Sequence, residues 1–341
     1  IDVVPDLVAK NVGVDVREAL LIWRAADWLD VRAGRQTLTW GTGDLVFVND
    51  LFPKDYVSFF IGRDDEFLKA PSNALRLGIW AGETAIDLVW MPLWEPDVYV
   101  TGQRLAWYDP TTGAVVANVF AAPTPALRWR NGAGALRVAH SWSGVELALY
   151  GYAGFEGQPL AFDPVAGTPE HPRLFAPGAS IRAPLFGGLV YAETAALLYA
   201  DDLDGTDPFE PNSRIKLLGG AERELWPKVT GGLQALWTRT LRYDELKANQ
   251  PAGMAIPDQD HVWLTLRLRQ QLLQDRLTLG LFAFVSPTDV DGYLRPTINW
   301  QPVDAVALTA GANVFAGRDA WTMFGQLEDN TNVYARLRYS F

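Results

Sequence analysis

A chain of 341 residues with a formal net charge of −11 and no cysteine lacks the basic face that nucleic-acid binding needs. It also offers no disulfide, no thiolate nucleophile and no cysteine-based metal site. With 49% hydrophobic and 20% charged residues it is no disordered polymer, and no run of roughly 18 apolar residues offers a transmembrane helix. Membrane β-barrels escape that last exclusion, because their strands cross lipid with about ten alternating residues each.

In chain order, residues 1–12, "IDVVPDLVAKNV", begin at an isoleucine and show no signal peptide, so the numbering is expected to start after processing, trimming or further residues. Strands are expected to start near residues 13, 29, 73, 84, 126, 145, 173, 189, 213, 229, 260, 276, 291, 305 and 331. The clearest is "HVWLTLRLRQ", where Val262, Leu264, Leu266 and Leu268 oppose Trp263, Thr265, Arg267 and Arg269. In "TAIDLVW", Ile86, Leu88 and Trp90 oppose Asp87 and Val89. Short connections at 81–84, 141–144, 186–188, 227–228, 274–275 and 302–304 alternate with long ones near 93–123, 155–172, 202–212, 243–259 and 317–330. That rhythm is an antiparallel meander with two unlike ends, in a single domain. Fifteen strands is an odd number for a bacterial single-chain barrel. The expectation is therefore an all-β barrel of about 16 strands, range 14–18, with one strand or an odd number preceding Ile1. A count wrong by one competes with that parity argument.

Alternation alone does not separate a soluble sandwich from a membrane barrel. The two ends differ in loop length, and aromatic residues stand near many strand ends, among them Trp90, Trp142, Tyr152, Trp237, Trp300 and Phe341. The polar face would bring Arg76, Arg137, Arg267, Arg269, Arg295, Arg336 and Arg338 into one interior with Asp87, Glu146 and Glu193. Buried unpaired charge is costly in a dry core and cheap in a wet lumen, so the balance favours the membrane barrel. Arg35, Arg239 and His140 fall on the apolar side; a bulge near Gly34 would rescue the first, and headgroup depth the others.

The last residues, "NVYARLRYSF", resemble the C-terminal signal of Gram-negative outer-membrane barrels, with a final Phe341 and an aromatic Tyr339 two residues earlier. "DVRAGRQTLTWG" followed by "NDLFPKDY" is similar to the early strand and loop of large porin-like barrels of the alginate-export type and related families. So is the late "LRPTINW" to "ALTAGANVFAG" hairpin. This resemblance implies a bacterial outer-membrane location, a lipopolysaccharide and phospholipid environment, and recognition by the barrel-assembly machinery. It transfers no substrate and no alginate-binding residue.

Residues 41–72 form the long non-alternating insertion. Phe47, Phe52, Tyr56, Phe59, Phe60 and Phe67 there need burial, while Asp44, Asp50, Lys54, Asp55, Arg63, Asp64, Asp65, Glu66 and Lys69 need partners or water. A loop folded into the lumen as a constriction or plug supplies both, with carboxylates facing wall arginines. An outside lid is the competing arrangement. An arginine-rich wall would favour anions, or its charges could merely pair. His140, His171 and His261 lack metal-ligand spacing, no local motif supports Ser–His or Asp–His chemistry, and "DVDGY" lacks a full Ca²⁺ loop. No catalysis, metal or cofactor is expected. Three functions remain open: a channel for small or elongated solutes, a sheath around a periplasmic or electron-carrying partner protein, and a hydrocarbon channel lined near Trp80, Trp263 and Phe315. Deleting Phe341 is expected to lower the yield of heat-modifiable barrel on a gel; normal migration at normal yield would refute its role as an assembly handle.

Overall fold

The computed structural model describes residues 2–6, 10–126 and 128–340. Ile1 and Phe341 lie outside the described residues, and with Phe341 the expected assembly signal. Fifteen strands form one antiparallel sheet, each paired with its neighbours in sequence. They are β1 (Ala19–Ala26), β2 (Leu29–Thr37), β3 (Pro71–Ala81), β4 (Thr84–Met91), β5 (Ala133–Trp142), β6 (Val145–Phe155), β7 (Arg173–Leu185) and β8 (Gly188–Tyr199). There follow β9 (Arg214–Trp226), β10 (Val229–Thr240), β11 (Asp260–Leu272), β12 (Leu277–Ser286), β13 (Asp291–Val303), β14 (Val306–Gly317) and β15 (Asn332–Tyr339).

Two elements differ from the sequence reading. The first strand starts at Ala19 instead of 13, because Asn11–Asp15 pairs with Asp2–Asp6 in a separate hairpin. The fifth starts at Ala133 instead of 126, because a 3₁₀ turn at Trp129–Asn131 precedes it. Pro123 and Pro125 also remove two backbone donors upstream.

The two ends of the sheet are unlike. One carries the short connections 27–28, 82–83, 143–144, 186–187, 227–228, 273–276 and 304–305; the other carries 38–70, 92–132, 156–172, 200–213, 241–259, 287–290 and 318–331. Ser143–Gly144 and Phe186–Gly187 have positive φ at both residues, 50° and 81°, then 54° and 70°. Turns of that kind match the twist of paired strands.

The alternation sorts side chains as the pleat requires. Outward, Trp23, Val31, Leu77, Leu88 and Leu136 stand opposite one another across β1 to β5. Leu233, Leu266, Ala283, Leu294 and Val314 do so across β10 to β14. These faces are uncovered: Leu149 is 64% exposed and Leu233 62%. The buried clusters lie on the other face, where inward wall residues meet the long connections. Soluble monomers seldom leave apolar patches beyond a few hundred square ångströms open; contact with lipid removes that cost.

The three misfits resolve by pairing. Strands β2 and β3 run in register through Gly34 and Arg35, so no bulge forms there. Gly34 instead adopts φ +128°, where a Cβ would lie 2.3 Å from the Ala19 carbonyl oxygen. Arg35 donates to Glu95 at 3.0 and 3.1 Å and to the Val16 carbonyl at 2.6 Å. Arg239 pairs with Asp260 at 2.8 Å, and Trp237 Nε1 donates to the same carboxylate. His140 Nδ1 meets Thr84 Oγ1 at 2.9 Å beside a short turn.

The outward rows make a direct prediction. Leu233→Arg places a charge on the lipid face and is expected to cost about 2–4 kcal/mol in folding titrations into lipid vesicles. A change within about 0.5 kcal/mol, usual for an exposed site in water, would show that this face meets no hydrocarbon.

Candidate functional site

The connection 38–70 turns back over the inward face of the sheet. Its apolar residues Val46, Val48, Phe59, Phe60 and Leu68 are buried against Leu218, Leu236, Phe282, Tyr293 and Phe315 from the wall. Leu38 and Phe52 join Tyr152, Leu174 and Tyr199 in a second cluster. A short helix, α1 (Tyr56–Phe60), is capped by Asp55, whose carboxylate accepts from Ser58 N at 2.7 Å and Ser58 Oγ at 2.5 Å.

Polar anchors fix the loop's first half. Glu193 on β8 is 2% exposed. Its Oε2 accepts from Thr42 N, Thr42 Oγ1 and Gly43 N at 2.8, 3.0 and 3.3 Å. Its Oε1 accepts from Asn49 N and Asn49 Nδ2 at 2.8 and 3.0 Å. Gly178 on β7 makes room for this approach, since a Cβ there would lie 1.7 Å from Asn49 Oδ1. Gln234 on β10 accepts from Asp44 N at 2.7 Å and donates to the Asp44 carbonyl at 2.8 Å. Lys54 is buried against Asp50 at 2.9 Å, donates to the Phe52 carbonyl and lies over the Phe47 ring.

Ion pairs add to the first half at Asp44 and hold the second. Arg267 on β11 grips Asp44 through Nε and Nη2 and lies 3.8 Å from Asp65. Arg295 on β13, 5% exposed, donates to Asp65 at 2.5 Å and to the Arg63 carbonyl at 2.8 Å. Arg336 on β15 pairs with Asp64 at 2.5 Å. Arg63 covers the Phe67 ring and donates to Ser58 Oγ. Arg17, just before β1, donates to the carbonyls of Glu66 and Lys69. The segments at the two ends of the strand order thus grip loop residues only two positions apart, Asp64 and Glu66, so the sheet curls around the loop.

Nearer the short turns, Arg76 pairs with Asp87 at 2.6 Å, and Arg137 reaches Asp87 at 3.8 Å and Glu146 at 3.0 Å. Arg269 and Arg338 share the inward register, stay exposed and make no ion pair among the described residues. Tyr339 stands on the outward register. Beside the loop a cavity of about 640 Å³ opens between Arg17, Glu18, Trp40, Glu66, Lys69 and Arg267.

Outer connections press on the loop from above. Asp97 accepts from Lys54 N and Gln158 Nε2, both at 2.8 Å, and Val98 N donates to the Lys54 carbonyl. Burial pushes the Asp97 carboxyl up to about 6 against the pull of Lys54. His171 meets Trp94 edge-on, and its Nδ1–H donates to the Glu156 carbonyl; burial lowers its pKa. Connection 92–132 then reaches connection 318–331, where Ala106 exchanges two hydrogen bonds with Asn330.

The histidines stay apart. His261 meets Asp289 at 2.6 Å and Ser286 Oγ at 3.2 Å through the same Nε2. A relay needs acid and hydroxyl on opposite ring nitrogens, so this trio makes none. No group of three or more His, Asp or Glu fit to hold a metal occurs among the described residues. Trp263 and Phe315, which the hydrocarbon-channel reading would put in a greasy lumen patch, are packed under Phe324 and the loop's Phe60. Trp80 stands apart near a short turn and is exposed.

Sequence reasoning placed Glu193 on the inward wall but not as an anchor. It passed over Thr42, Asn49 and Gln234, and counted Asp44 only as one charge among many. The available signal was Gln234 itself, a lone inward amide within "GGLQALW". Glu193→Ala leaves five donors unmet and is expected to expose residues 42–50 to protease at least tenfold faster in the assembled protein. Unchanged protection would show that the anchor is dispensable.

No protein-family model matches the chain, and no curated protein does. Among solved structures it is similar to a triple mutant of the Rh. blastica porin, at 13% identity over 94% of this chain and 88% of that one, with a TM-score of 0.43. It is also similar to the outer membrane channel DcaP of Acinetobacter baumannii, at 11% identity over 94% of this chain and 99% of that one, with a TM-score of 0.39.

Proposed function

We propose that the sheet closes as a barrel in the bacterial outer membrane and conducts small solutes, with connection 38–70 as its constriction. The observation that carries this reading is the reversal of faces: large apolar side chains point outward in rows, while the interior holds charge, water-sized space and an anchored loop. Lipopolysaccharide and phospholipid would contact the outward rows, and the barrel-assembly machinery would insert the chain.

The two other readings have less support. A sheath for a partner protein needs an open lumen, and the loop's own aromatic residues occupy much of this one. A hydrocarbon channel needs an apolar lining open to solute, yet Trp263 and Phe315 are covered.

Removal of residues 45–68 is expected to raise single-channel conductance in planar bilayers several-fold. Conductance equal to that of the parent would mean that the loop does not set the narrowest section. No current from either form would remove the channel reading.

A further inference from the structure

We infer that Asp97 is a latch on connection 38–70 that acid strengthens: a proton on its carboxyl holds the loop more firmly against the outer connections. Where the loop is the constriction, a reading that rests on the function proposed above, the passage becomes less yielding in acid. Three connections meet at this one side chain. Asp97 belongs to connection 92–132. Its Oδ1 accepts from Lys54 N of connection 38–70, and its Oδ2 from Gln158 Nε2 of connection 156–172, both at 2.8 Å. Its own N–H donates to the Gly157 carbonyl at 3.1 Å. Gly157 leaves room for the contact, since a Cβ there would lie 2.7 Å from the carboxylate.

Both donors to the carboxylate are uncharged amides. The Lys54 ammonium is spent on Asp50 at 2.9 Å and on the Phe52 carbonyl at 2.5 Å. Glu156 brings a second negative charge, with its Oε2 accepting from Tyr199 OH at 2.9 Å. Tyr56 and Tyr152 also face the junction, and phenols carry no charge at ordinary pH. A carboxylate crowded by neutral donors and another carboxylate prefers to keep its proton. Burial accordingly pushes Asp97 up to about 6, with Lys54 pulling it back. Protonation loses neither bond. Oδ1 still accepts from Lys54 N, and Oδ2–H donates to Gln158 Oε1 once that amide turns over.

Released into water, the carboxyl would return to 3.8. The latched form therefore binds the proton more tightly, and acid favours it. Between pH 7 and pH 5 those two values strengthen the latch about tenfold. Asp55, beside Lys54, is also shifted up by burial and acts in the same sense. His171 acts in the opposite sense, because burial lowers its pKa. Its contacts are Trp94, Tyr99 and the Glu156 carbonyl. None of these lies on connection 38–70, so release of the loop leaves His171 where it is.

The test is hydrogen exchange of the intact protein in detergent micelles, read by mass spectrometry over residues 52–60 and corrected for the intrinsic pH dependence of amide exchange. Protection of that segment is expected to rise about tenfold from pH 7 to pH 5, with strand amides unchanged as the control for folding. Asp97→Asn puts an uncharged group of the same shape at the junction. It should give at pH 7 the protection that the parent reaches at pH 5, with most of the pH dependence gone. Glu156→Gln removes the neighbouring charge and should move the rise to lower pH. Equal protection at both pH values in the parent, or a fall in acid, overturns the inference. So does a rise undiminished in Asp97→Asn, or a loop less protected in that variant than in the parent at pH 7. The readout needs no current. The expected rise in a protein that conducts nothing, with or without its loop, upholds the latch and removes the channel reading alone.

Discussion

The arrangement depends on one buried carboxylate. Removing Glu193 from water is costly unless its lone pairs are met, and among the described residues no arginine or lysine hydrogen-bonds to it. Three residues of the infolding loop do so instead, with five donors from Thr42, Gly43 and Asn49. Those donors converge only when the chain after β2 turns inward and Asn49 sits against the bare backbone of Gly178. Once that turn is made, the next residues have one place to go. Val46 and Val48 pass beneath Leu218 and Leu236, and the two phenylalanines of α1 fill the space before Tyr293 and Phe315.

This explains why a protein with its apolar rows turned outward still has a core. In a barrel with a wet lumen the wall cannot pack against itself, since opposite sides stand too far apart. Here the loop supplies the missing surface. Phe59 and Phe60 meet Tyr293 edge-on at 5.6 and 5.9 Å, and Phe60 meets Phe315 at 5.5 Å. The geometry is that of aromatic clusters in soluble cores. Under the proposed barrel reading, lipid contact outside and aromatic packing inside are served by one period of two in the strands.

That period is what the sequence displayed most openly. The pleat forces successive side chains to opposite faces, so "HVWLTLRLRQ" declares its strand and puts Arg267 on the face opposite its leucines, while which face turns inward needed the loop lengths, the aromatic ends and the burden of charge as well. The short turns were equally open, because glycines such as Gly144 and Gly187 mark positions where positive φ is required. The partners of those inward residues were not. Asp44 finds Arg267 at a separation of 223 residues, and Asp65 finds Arg295 at 230. Such pairs are set by how the sheet curls, which no local pattern encodes. The hairpin that withholds Asn11–Asp15 from the first strand was hidden for a related reason: its residues alternate as well as those of β1 do, and only pairing tells them apart.

The loop's two halves are held by different physics. Residues 42–50 are fixed by hydrogen bonds to a carboxylate and an amide that are both buried, and added salt reaches these only weakly. Residues 63–66 depend on ion pairs whose loop partners, Asp64 and Asp65, are 43% and 46% exposed. Exposed pairs contribute little individually and are screened. Above them, Asp97 and Val98 clamp the helix-bearing middle through Lys54 and Tyr56. The loop is therefore stiff where it meets β8 and β10, and held from two sides at its centre. Toward β13 and β15 it is held by aromatic packing on Tyr293 and by ion pairs whose loop carboxylates face solvent.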